Sequence, residues 1–73
     1  MYVDHVDMRR FRESLGLYQY QFAPYVGLLP KNISYIETGR RRLSKTQACL
    51  LISLIILEEY GLLNEYLHRL ESN

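Results

Sequence analysis

The chain has one cysteine, two histidines, two prolines and four glycines among 73 residues, and the first two shortages close off whole classes of protein. With Cys49 alone, no intramolecular disulfide framework can form, which points to a reducing, cytoplasmic setting. His5 and His68 lie far apart, and neither stands at metal-ligand spacing with Cys49, so neither a metal nor another cofactor is expected. Ser14, Ser34, Ser44 and Ser53 have no histidine at helical spacing, Cys49 has no base to activate it, and no glycine-rich phosphate loop is present. The residues therefore supply no catalytic constellation, and an enzyme is not expected. The first ten residues carry Asp4, Asp7, Arg9 and Arg10 instead of a basic stub followed by an apolar run, so no secretory signal is read. The longest strongly apolar stretch, residues 48–57, is interrupted by Ser53 and is about half of the ~20 residues that a membrane span needs. Repeats, low-complexity tracts and linkers are also missing. What remains is a chain that is 48% hydrophobic, a globular composition, read as one domain over residues 1–73.

The net charge of +1 conceals an asymmetry. Residues 1–45 hold eight basic side chains against four acidic ones, whereas residues 46–73 hold Arg69 alone against Glu58, Glu59, Glu65 and Glu71. Such a division suggests one half that faces a polyanion and one half with another task.

Apolar spacing and punctuation predict an all-α fold of five helices. Met8, Phe11 and Leu15 recur at helical spacing in a first helix beginning at residue 4 or 7, which Gly16 ends. A second helix over residues 19–26 buries Phe22, Ala23 and Val26 and stops at Gly27. Pro30, with its fixed φ and no amide hydrogen to lose, opens a third over residues 30–38, whose inward residues are Ile33 and Ile36. Ser44 caps a fourth over residues 45–60, and Gly61 ends it. A fifth, over residues 62–70, carries Leu63, Tyr66, Leu67 and Leu70 on one stripe. The fourth helix is apolar around its whole circumference, and a core this small covers only part of it, with Cys49 read as a core or interface hydrophobe. A homodimer is therefore expected, built on Leu50, Leu54, Ile56, Leu57, Leu63 and Leu67.

The second and third helices are separated by three residues, 27–29, the spacing of two crossed helices joined by a tight glycine turn. Here the chain resembles the Cro and lambda-repressor type of helix-turn-helix regulator. The resemblance rests on Gly16-Leu17-Tyr18-Gln19-Tyr20-Gln21-Phe22-Ala23, then Val26-Gly27-Leu28, then Ile33-Ser34-Tyr35-Ile36-Glu37-Thr38-Gly39-Arg40-Arg41. It covers residues 8 to about 55, with the helix-turn-helix itself at about 17–39. It implies a five-helix lambda-repressor-like domain, a buried ion pair between Arg12 and Glu37, and a dimer that binds an inverted-repeat operator in double-stranded DNA. The half-sites would lie about one helical turn, ~34 Å, apart, and repression by occlusion is the implied mode of action.

Recognition helices read base edges from their N-terminal residues, which assigns base contacts to Lys31, Asn32 and Tyr35, with Gln19 from the start of the second helix. Phosphate contacts fall to Tyr18, Thr38, Arg40, Arg41 and Arg42, because three consecutive arginines exceed what a small structure pairs internally. Two residues depart from the family pattern. Leu29 stands where a Ser or Thr N-cap is usual and cannot accept a hydrogen bond from the following amides. Pro24, inside the second helix, removes a backbone hydrogen bond and is expected to bend or shorten it. With Tyr20 and Tyr25 expected to be exposed beside it, a second reading is a protein-interaction module that keeps the fold as scaffold and meets a protein partner through Tyr20, Pro24, Tyr25 and the acidic C-terminal half. A third is an antitoxin that binds both DNA and a toxin.

Overall fold

Asp4 and Asp7 decide where the chain first becomes helical. In the computed structural model, which describes residues 3–73, the Asp4 carboxylate accepts from the amides of Val6 (3.0 Å) and Asp7 (3.3 Å). The Asp7 carboxylate accepts from the Asp4 amide at 2.9 Å. This reciprocal box satisfies the first free amides of α1, His5–Ser14. The hydrogen bond from the Asp7 amide, helped by the Asp7 side chain and the amide of Val6, holds the Asp4 carboxyl below its usual range against the opposing effect of desolvation.

Four more helices follow, α2 Gln19–Val26, α3 Pro30–Glu37, α4 Lys45–Glu59 and α5 Leu63–Ser72, and no strand occurs among the described residues. The expected α2 is reproduced residue for residue, with Gly27 at φ +64° as the left-handed stop that a side chain would strain. Pro24 lies inside that helix without ending it. The Tyr20 carbonyl loses the amide that Pro24 lacks, at a place where Tyr20 and Pro24 are both exposed and a carbonyl without its helical partner costs little. Pro30 opens α3 behind Leu29, which makes no side-chain cap. Ser44 caps α4 by accepting from the Gln47 amide at 3.1 Å while the Gln47 side chain accepts from the Ser44 amide at 2.9 Å.

Each helix sends apolar side chains to one core. Met8, Phe22, Ile33, Ile36, Leu51 and Leu54 are the largest of those fully buried, all at 1% exposure or less, and Phe11 meets Phe22 edge-on at 6.1 Å. Helix α2 packs on α3 and α4, α1 on α3, and α5 on α4. The Tyr66 hydroxyl donates to the Tyr25 carbonyl at 2.7 Å, tying α5 to the C-terminal end of α2. Burial pushes the Tyr66 hydroxyl pKa up.

The C-terminal helices correct part of the expected dimer surface. Leu54 and Leu63, at 0% and 5% exposure, belong to the chain's own core and are not available to a partner. Leu50, Leu57 and Leu67 are half-buried, and Ile56 alone of the six is substantially exposed, at 45%. Cys49 is exposed rather than in the core. No helix is long and apolar enough to cross a membrane among the described residues.

Candidate nucleic-acid interface

The candidate surface is organised from behind by one carboxylate. Glu37, at the last turn of α3, is buried at 7% exposure. It accepts from Arg12 Nε at 2.7 Å and from Arg12 Nη2 at 2.9 Å, a two-pronged pairing that fixes the plane of the guanidinium. Arg12 Nη1 goes on to donate to the Leu17 carbonyl at 2.7 Å, and Gln19 Nε2 donates to Glu37 Oε1 at 3.1 Å. Burial alone would raise the Glu37 pKa, but the hydrogen bonds from Arg12 and Gln19 and the charge of Arg12 outweigh it and hold the carboxyl below its usual range. The same hydrogen bond from Arg12 to Glu37 pushes the guanidinium pKa up. The ion pair implied by the resemblance is therefore present, and it locks α1 to α3 and to the segment that starts α2.

Gln19 is drawn into that network. One of its two amide hydrogens is engaged with Glu37, and the other hydrogen and the side-chain oxygen are the groups that bidentate pairing to adenine needs. Its neighbours turn outward instead: Tyr18 and Tyr20, at 69% and 64% exposure, stack on one another with ring centroids 6.1 Å apart. With Arg12, Gln19 and Pro30 they line an open groove of about 620 Å³ between the starts of α2 and α3.

On α3 itself, Lys31, Asn32 and Tyr35 share one side, because positions i, i+1 and i+4 of a helix fall within about 100° of arc. Ile33, Ile36 and Glu37 occupy the buried side. Lys31 is exposed, Asn32 half-buried and Tyr35 exposed at 40%. Among the described residues, no side-chain hydrogen bond occupies any of the three, so their polar groups are free to meet a ligand.

The turn after α3 is anchored to this same helix. The Tyr35 carbonyl accepts from the amides of Arg40 at 2.9 Å and Arg41 at 3.1 Å, which holds the start of the arginine run against the end of α3. Arg40, Arg41 and Arg42 are exposed. None of them belongs to the ion pairs found among the described residues, which are Arg9–Glu13, Arg12–Glu37 and Arg69–Glu65. Arg41 and Arg42 join His5, Lys45 and Leu43 around a second open cleft, of about 640 Å³, below the start of α4. The Thr38 hydroxyl donates to the Ser34 carbonyl at 2.9 Å and lies 3.3 Å from that of Tyr35, and its amide also donates to Ser34. Thr38 thereby closes the helix, with its exposed hydroxyl turned onto the backbone of α3. Among the described residues no side-chain hydrogen bond engages the Tyr18 hydroxyl.

Sequence reasoning missed the bond from Gln19 to Glu37, the bond from Arg12 to the Leu17 carbonyl and the anchoring of the arginine run on Tyr35. Only the first had a signal, a glutamine one residue inside a helix start in a chain that also holds a buried acid. Tyr25, expected exposed, is half-buried and stacks on Phe22 with centroids 5.9 Å apart. Among the described residues no group of three or more His, Cys, Asp or Glu side chains is placed to hold a metal ion. Comparison with known protein families, with curated proteins and with solved structures finds no match to this chain.

Proposed function

We propose that the chain is a sequence-specific regulator that binds double-stranded DNA as a dimer and represses transcription by occluding its operator. The observation that carries the reading is the pairing of a rigidly backed α3 face with a fixed arginine run. Lys31, Asn32 and Tyr35 stand free on one side of the helix, the Arg12–Glu37–Gln19 network holds the other, and the Tyr35 carbonyl anchors the arginines at its end. In this reading Lys31 and Asn32 read base edges, Asn32 pairing with adenine and Lys31 with guanine. Tyr35 packs on a thymine methyl or donates its hydroxyl. Tyr18, Arg40, Arg41 and Arg42 grip phosphates and give affinity without sequence preference.

Selection of bound duplexes from a random pool, followed by titration of the enriched site at several salt concentrations, tests this. An enriched inverted repeat whose affinity falls steeply with salt is the expected result; no enrichment and no salt-sensitive binding would overturn it. Replacing Arg40 and Arg42 together by alanine should weaken all sequences alike and lower the salt slope by about 2, at ~0.9 per phosphate contact. Asn32→Ala should relax preference at one operator position only.

The stacked, exposed Tyr18 and Tyr20 favour one competing reading, a protein-binding module. Apolar docking changes little with salt, so the same titration separates the two.

A further inference from the structure

Helix α4 carries its charges against its own dipole. Lys45 stands at its first position and Glu58 and Glu59 at its last, with no acidic residue in the first turn and no basic one in the last. Each end therefore bears the sign that the aligned peptide dipoles disfavour. Neither Lys45 nor Glu59 takes part in an ion pair among the described residues, so nothing found within the chain compensates this arrangement.

The same helix has an apolar face that its own core does not cover. Cys49, Ser53 and Ile56 recur at i, i+4 and i+7, with Tyr60 one step further on, and all four are exposed, Ile56 at 45% and Tyr60 at 76%. Ser53, the one polar side chain of the stripe's centre, donates its hydroxyl back to the Cys49 carbonyl at 2.8 Å, which removes its hydrogen from the surface. At about 100° per residue, Lys45 and Glu59 lie on the same flank of this face, about 40° apart around the axis and about 21 Å apart along it.

We propose that this face binds a second copy of the chain, α4 against α4 in antiparallel register centred near Ile52 and Ser53, with Lys45 of each protomer paired to the other's Glu59. A two-fold axis perpendicular to the plane of two antiparallel helices keeps equivalent flanks together, so the lysine end of one protomer meets the glutamate end of the other at both ends of the contact. Each N-terminus then gains a carboxylate and each C-terminus an ammonium, which relieves both conflicts with the dipole. Parallel packing would bring lysine end to lysine end. A second copy is the occupant because the face is complementary to itself, positive at one end, negative at the other and apolar between. The register deepens the dimer of the proposed function and rests on it, but its test needs no DNA.

Sedimentation equilibrium of the full chain over a wide concentration range, at low salt, provides the test. The unaltered protein should dimerise. Lys45→Glu alone and Glu59→Lys alone should each raise the dissociation constant about tenfold, and the double reversal should return it to within about threefold of the starting value. Both reversals agree with the helix dipole, so helical content by circular dichroism should be kept and a loss of dimer cannot be put down to unfolding. A protein that remains monomeric at hundreds of micromolar would overturn the dimer itself. A dimer indifferent to the single reversals, or not recovered by the double one, would overturn this register and leave the DNA-binding reading standing.

Discussion

In helices α1–α3 the charge that enters the interior is answered on every side: Glu37 holds two bonds from Arg12 and one from Gln19. From α4 through α5 no charged side chain is buried, while large apolar side chains stay exposed in both regions, Leu29 at 59% ahead of α3 and Ile56 at 45% on α4 among them. The first region is specified by directional bonds that permit one arrangement. The second is held by apolar contact without a buried ion pair, and it leaves part of the α4 circumference, Ile56 included, in solvent. The difference locates two kinds of task. A surface that must present side chains at fixed positions needs the first kind of backing, and a surface that must be covered is of the second kind.

The largest effect should come from breaking the directional side. Glu37→Ala leaves the Arg12 guanidinium unpaired in a site only 11% exposed, and a loss of about 3–5 kcal/mol in urea unfolding is expected. Replacing both partners with apolar residues, Arg12→Met with Glu37→Leu, should cost much less, because no uncompensated charge remains. Next in size is a contrast within α4. Leu54→Ala should cost about 2–5 kcal/mol through the cavity it opens, whereas Ile56→Ala should cost less than about 1 kcal/mol in monomeric protein. Equal losses would erase the distinction between covered and uncovered faces. Tyr66→Phe, which removes the hydroxyl bonded to the Tyr25 carbonyl, should cost about 1 kcal/mol and loosen α5 first, readable as faster amide exchange in that helix.

The smallest effect expected is on acid sensitivity. The folded state holds the Glu37 carboxyl below its usual range, so its contribution is complete above the unfolded pKa and is lost as pH falls through the lower folded value. Unfolding followed from pH 7 down to about pH 3 should therefore show stability declining below about pH 5. In Glu37→Gln that part of the decline should be missing.

The helix boundaries were legible because they are set by single residues whose chemistry acts locally: Gly27 in a left-handed turn, Pro30 without an amide hydrogen, Ser44 as a cap. Of the candidate interface, the free face of α3 was legible from position alone. The inward and outward sides of α4 were not. A helix that is apolar all round has no phase in its sequence, so nothing in residues 48–57 marks Leu51 and Leu54 as interior and Ile56 as exterior until α2 and α5 are packed against it. The partners of Gln19 and Thr38 were hidden for another reason. A polar side chain near a helix end can turn inward or outward, and the acceptors that turned these two inward, Glu37 and the Ser34 carbonyl, are features of the assembled structure.

The bond from Arg12 to the Leu17 carbonyl has a consequence for transplantation. Because a residue of α1 closes onto the chain just ahead of α2 while gripping the end of α3, the α2–α3 pair is not a portable cassette. A graft of residues 17–39 onto another scaffold would arrive without its latch, and a chimera would need a guanidinium supplied at the equivalent place by its new host.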